Sequence, residues 1–105
     1  MLTKILEVHS VSIEPVKKNP SQFKITAAGL VTTGGWNEPR LIPYSYLNPP
    51  PDGIYDFDFV AEAPDPKDVV TMVMTKINVD FIWEKQPAEL NGVRVHASKN
   101  WMVAP

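Results

Sequence analysis

Along most of this chain, apolar and polar side chains alternate with a period of two, the spacing of half-buried strands. Leu2, Lys4, Leu6 and Val8 share one parity, and Val11 and Ile13 then carry the apolar side on the other. That switch predicts a bulge near His9-Ser10. Phe23, Ile25, Ala27, Gly29 and Val31 form a second run, whose inner side becomes small midway. Leu41 to Leu47 is strand-like but contains Pro43, which places it at a sheet edge. Ile54 to Val60 turns Tyr55, Phe57 and Phe59 inward and Asp56 and Asp58 outward. Val69 to Trp83 is too long for one strand, since 15 residues would span roughly 50 Å. Its parity changes near Thr75-Lys76, where a bulge or bend is expected.

Punctuation separates these runs. Lys17 to Ser21 and Asn48 to Gly53 read as turns, and Trp36-Asn37-Glu38-Pro39 and Ala61 to Asp68 as loops. Asn91-Gly92 has the composition of a two-residue hairpin turn with positive φ at both positions. Val93, Val95 and Ala97 alternate with Arg94, His96 and Ser98, and residues 100–105 form a tail or a last short strand. With no amphipathic helix and no repeat, the expectation is one domain over residues 1–105. Its fold class is all-β, an immunoglobulin-like antiparallel β-sandwich of six to eight strands. The alternative is a small β-barrel. The expected core is Leu6, Val8, Phe23, Ile25, Tyr55, Phe57, Phe59, Val79, Phe81, Trp83, Val93 and Val95.

Residues 51–59 supply a finer signal. Pro51-Asp52-Gly53-Ile54-Tyr55-Asp56-Phe57 resembles the tyrosine corner of immunoglobulin-like and fibronectin type III domains. The resemblance implies that the Tyr55 hydroxyl turns back onto upstream backbone while Phe57 fills the core position two residues on. At least two strand-like segments follow Tyr55, where the immunoglobulin layout has the corner open its penultimate strand.

Composition narrows the chemistry. Of 105 residues, 44% are apolar, enough for a core at this length. Ten basic and 12 acidic residues give a net charge of −2, with no basic stripe for nucleic acid. Six carboxylates against Lys67 alone leave residues 52–68 with a net charge of −5. This run reads as a solvated strand face, with a hard cation as the rarer alternative. The absence of cysteine removes disulfides, thiolate nucleophiles and thiolate metal sites. No apolar run reaches the length of a membrane span. Glu7 and His9 interrupt any signal-peptide core, so a cytoplasmic location is the default expectation and a mature secreted domain fits equally.

Candidate catalytic groups are few. No serine sits in a Gly-x-Ser-x-Gly elbow, and His9 and His96 occupy outward strand positions. No metal motif or cofactor motif is present. The most distinctive loop is Thr32-Thr33-Gly34-Gly35-Trp36-Asn37-Glu38-Pro39-Arg40. It carries an aromatic on flexible backbone at a strand end, where sandwiches present contacts. Thr33, Gly34, Gly35, Trp36, Asn37 and Arg40 are therefore the candidate binding residues, with a protein partner and neither catalysis nor a cofactor. Thr32-Thr33-Gly34 also resembles the Asn-Pro-Thr-Thr-Gly loop of chagasin-like cysteine-protease inhibitors, without its leading Asn-Pro. That resemblance implies loop insertion into a protease cleft. A second alternative is a small ligand carrier or enzyme with a pocket among Tyr44, Tyr46, His96 and Trp101.

Overall fold

The computed structural model describes residues 2–84 and 90–105, without the side chains of 19–21. Eight strands form two sheets: β1 (Leu2–Lys4), β2 (Glu7–Val16), β3 (Asn19–Val31), β4 (Asn37–Pro43), β5 (Ile54–Glu62), β6 (Thr75–Trp83), β7 (Gly92–His96) and β8 (Trp101–Ala104). The smaller sheet has the order β2-β3-β6. In the larger sheet β5 is central. One edge takes β4, and the other takes β7 along residues 54–58 and then β1 along 60–62. β8 closes that side by pairing with β7. The two sheets stack as a sandwich and do not close into a barrel. Among the described residues there is no helix, and so none that is long and apolar enough to cross a membrane.

The alternating pattern becomes the core directly. Val8, Ile25, Phe57, Phe59, Val79, Val93 and Val95 are buried between the sheets, while Tyr55, Phe81 and Trp83 pack at the border. Phe57 meets Phe81 and Trp83 edge to face, with ring centroids 5.5 and 5.1 Å away, geometry that the ring quadrupoles favour. The bulge expected at His9-Ser10 is present. Val8 pairs with Gly29 and Ser10 with Ala28, leaving His9 as the extra residue. β4 with Pro43 is an edge strand, bonded to β5 alone among the described residues.

Four expectations are corrected. First, Phe23 is only partly buried and lies outside the core cluster, and Ile5, not Leu6, is fully buried. Here the chain changes sheets: the Ile5 N–H bonds the Phe59 carbonyl, and the Leu6 N–H bonds the Leu30 carbonyl across the sandwich. The crossover resets the parity of side chains. It also explains the small inner positions of β3, because a Cβ at Gly29 would overlap the Glu7 carbonyl oxygen and crowd Ile5. Second, β5 and β7 run parallel, so the larger sheet is mixed. Third, Asn91-Gly92 is no hairpin turn, since β6 and β7 belong to different sheets and Asn91 lacks positive φ. Instead the Asn91 N–H bonds the Gly53 carbonyl, and its side-chain amide bonds the Asp52 carbonyl. Fourth, residues 69–74 are not strand, and β6 begins only at Thr75.

The tyrosine corner is also replaced. The Tyr55 ring lies edge-on to Tyr46 and Trp83. The phenol that reaches backbone is that of Tyr46, which accepts a 2.9 Å hydrogen bond from the Asp56 N–H.

Candidate functional site

Two surfaces gather the residues singled out by sequence. The first is one end of the sandwich. The loop after β3 is braced by the segment before β6, as the Gly34 N–H bonds the Thr71 carbonyl at 2.9 Å. Gly35 adopts φ +86, a left-handed conformation that suits glycine, and Val70 lies directly over it. The Thr33 hydroxyl donates to the Gly34 carbonyl at 2.8 Å. Trp36 is half-buried against the core, and its Nε1 is fully covered without a hydrogen bond among the described residues. Asn37 opens β4 opposite Glu62, and exposed Arg40 pairs with Val60 beyond a bulge. Glu38 and Pro39 lie within that bulge, and Glu38 adopts φ 51. The Arg40 guanidinium sits 3.5 Å from the Glu38 carboxylate.

Thus Thr33, Gly34 and Gly35 stay together at the end of the sandwich. Trp36 turns inward, and Arg40 lies further along the β4 edge. Sequence reasoning missed what joins them. Val69, Met72, Val73 and Met74 stand 101, 82, 61 and 59% exposed. Their apolar character suggested a buried strand. The signal that could have identified a loop is the neighbouring Pro64 and Pro66, together with the parity break at Thr75-Lys76.

The second surface is the outer face of the larger sheet. The parallel register sets Asp56 beside Arg94 and Asp58 beside His96, with Trp101 beyond His96. One Asp56 oxygen receives His96 Nε2 at 2.8 Å and Arg94 Nη1 at 3.1 Å. The other accepts the Tyr46 hydroxyl at 2.6 Å. Tyr44 donates to Asp58 at 2.9 Å and stacks on the His96 ring. Arg94 lies over Trp101, 5.3 Å from the ring centroid.

The electrostatics follow from these contacts. Burial alone would raise the Asp56 pKa. The hydrogen bonds from Tyr46, His96 and Arg94 outweigh it and hold the carboxyl below its ordinary value. Burial and the bond to Asp58 push the Tyr44 phenol up to about 12. The carboxylate therefore stays ionised with its lone pairs occupied, while the phenol keeps its proton.

Tyr44, Tyr46, His96 and Trp101 lie near one another on an open sheet face and do not together line a pocket among the described hollows. The nearest hollow, about 340 Å³, lies to one side and is lined by Pro43, Tyr44, Tyr46, Leu47, Tyr55 and Trp83. The acidic residues do not converge. Asp58 also faces Lys4 at 3.6 Å, while Asp65 and Asp68 cap the backbone of their own turn. No group of three or more His, Asp or Glu side chains is arranged to hold a metal among the described residues. Compared with protein-family models, curated proteins and solved structures, the chain matches none.

Proposed function

We propose that this chain is a protein-binding module without catalysis of its own. Its contact surface is the end of the sandwich where residues 69–74 lie across Gly34-Gly35. The observation that carries this reading is the exposure of Val69, Met72, Val73 and Met74 within six residues. Apolar side chains concentrated in one exposed loop mark interaction sites in soluble domains, and methionine adapts to a partner's relief. The hydrogen bond from Gly34 to Thr71 supports it, because a braced loop loses less conformational entropy on binding than a free one. In this reading Trp36 anchors the loop to the core, and Thr33, Gly34 and Gly35 shape the floor of the contact. The same brace argues against insertion of Thr32-Thr33-Gly34 into a protease cleft. An immunoglobulin-like assignment belongs to this proposal too; the sheet crossover at Ile5-Leu6 supports it.

The test is quantitative affinity capture from the native host with the wild type and with a Val69→Asp/Met72→Asp variant. Both side chains are exposed, so the variant's unfolding midpoint should match the wild type. Loss of a defined protein from the capture is the expected result. Identical captures from two equally folded proteins would contradict the proposal. A second reading, a small-ligand site beside Tyr46, is favoured by the hollow that Tyr46, Tyr55 and Trp83 line. Tyr46→Ala, with Val69 and Met72 intact, separates the two.

A further inference from the structure

Sandwich edges differ in how they are protected. β2 carries Pro15 and two irregularities of register, β4 carries Pro39, Pro43 and a bulge, and β8 has four residues. Prolines, bulges, shortness and edge charges are devices that stop an edge from pairing with another chain. β6 has none of the first three, and its edge charges are of both signs, Lys76 and Asp80. It is nine residues long, lacks proline, and holds an unbroken register with β3 from Thr75 to Trp83. Its other edge pairs with no strand among the described residues.

The side chains along this edge are self-complementary. Lys76, Asn78, Asp80 and Ile82 are all exposed on the outer face of β6. Residues directly opposite in an antiparallel pair share a face. Turning a second copy about a twofold axis at Asn78 sets Lys76 against Asp80 twice. Sliding the copy by two residues either way sets Lys76 against Ile82 or against Asn78. Charge therefore selects the single register in which both basic groups meet acids. Lys76 has no charged partner within its own chain among the described residues, whereas Asp80 touches Lys24 at 3.9 Å and Thr26 at 3.1 Å.

We infer that β6 is a self-association edge: two copies pair antiparallel through it, centred on Asn78, joining two three-stranded sheets into one of six strands. The β6 edge begins at Thr75, after the 69–74 contact proposed above, and its test leaves Val69 and Met72 intact, so the two ideas stand or fall separately.

Sedimentation equilibrium tests it. The wild type is expected to dimerise as concentration rises. Lys76→Asp and Asp80→Lys each create two like-charge pairs and should each weaken the dimer on the order of tenfold. An equimolar mixture of the two variants restores opposite charges in every pair and should recover wild-type association as a heterodimer. An independent arm uses the absence of cysteine. Asn78→Cys places two thiols on the axis and should give a disulfide-linked dimer under mild oxidation, since Cα atoms opposite in such a pair lie about 4.5–5.5 Å apart. Ser12→Cys on β2 should not. A wild type that stays monomeric, a dimer indifferent to both charge reversals, a mixture no tighter than its components, or equal cross-linking of the two cysteine variants would overturn the inference.

Discussion

The buried Trp36 Nε1 illustrates how one atom separates two roles for a side chain. A tryptophan presented to a partner would offer its N–H outward, whereas this one is covered and unbonded among the described residues. Trp36→Phe should therefore cost only the packing lost to the smaller ring, because the donor it removes makes no bond. Trp36→Ala should cost about 3–5 kcal/mol through the cavity left under the loop. Thermal unfolding of both variants checks this; equal losses would mean the indole nitrogen has a partner. Gly29 gives a second expectation at this scale. Its lack of a side chain is what admits the Glu7 backbone, so Gly29→Ala should destabilise by about 1–3 kcal/mol. Measurable by denaturant titration, this contrasts with Ala28→Ser next door on the outer face, which should be near neutral.

At the scale of elements, the strands themselves were legible and their partners were not. Phe57, Phe59, Val79 and Val95 could be assigned to the interior because period-two alternation reports one bond to the next. Nothing in that alternation tells a strand which neighbour it will have, so the parallel pairing of β5 with β7 stayed hidden. With it stayed hidden the meeting of Asp56 with Arg94 and His96. Leu6 was misassigned for a related reason: the sheet change at Ile5 shifts side-chain parity without any turn residue to announce it. Val69 to Met74 read as strand because apolar composition alone carries no information about exposure. The start of β2, just after the crossover, is held by Asn100, whose side chain both accepts from the Val8 N–H and donates to the Val8 carbonyl, each at 2.8 Å. It thus imitates a strand neighbour for β2. Asn100→Ala should leave both backbone groups unpaired and cost about 1–3 kcal/mol, read in denaturant titration. Hydrogen exchange at Val8 should rise more than at Phe57; uniform protection would contradict this role.

For the molecule as a whole, the outer-face network ties the larger sheet together by charge, and its pH dependence has a defined sign. The Asp56 carboxyl is held below its ordinary value of 3.8. Such a depressed group contributes stability that is complete above the unfolded value and is lost as pH falls through the folded one. Stability should therefore decline on the acid side, beginning near pH 3.8. Asp56→Asn should lower stability at neutral pH and flatten that acid limb. An acid limb as steep in the variant as in the wild type would show that Asp56 does not carry it. This network also explains why an Asp, an Arg and a His within hydrogen-bonding distance need not signal catalysis. The Asp56 carboxylate is engaged by Tyr46, His96 and Arg94 at once, and the apolar surface concentrated at the end of the sandwich is the feature that the proposed function uses.

That surface is best tested by placing a photoreactive benzoylphenylalanine at Met72 and irradiating the protein in its native host. The account predicts a covalent adduct with one defined protein, weakened by Val69→Asp, and little or none from the same probe at Ser12 on β2. Equal adduct patterns from the two positions, or no adduct at Met72 in a folded protein, would contradict it.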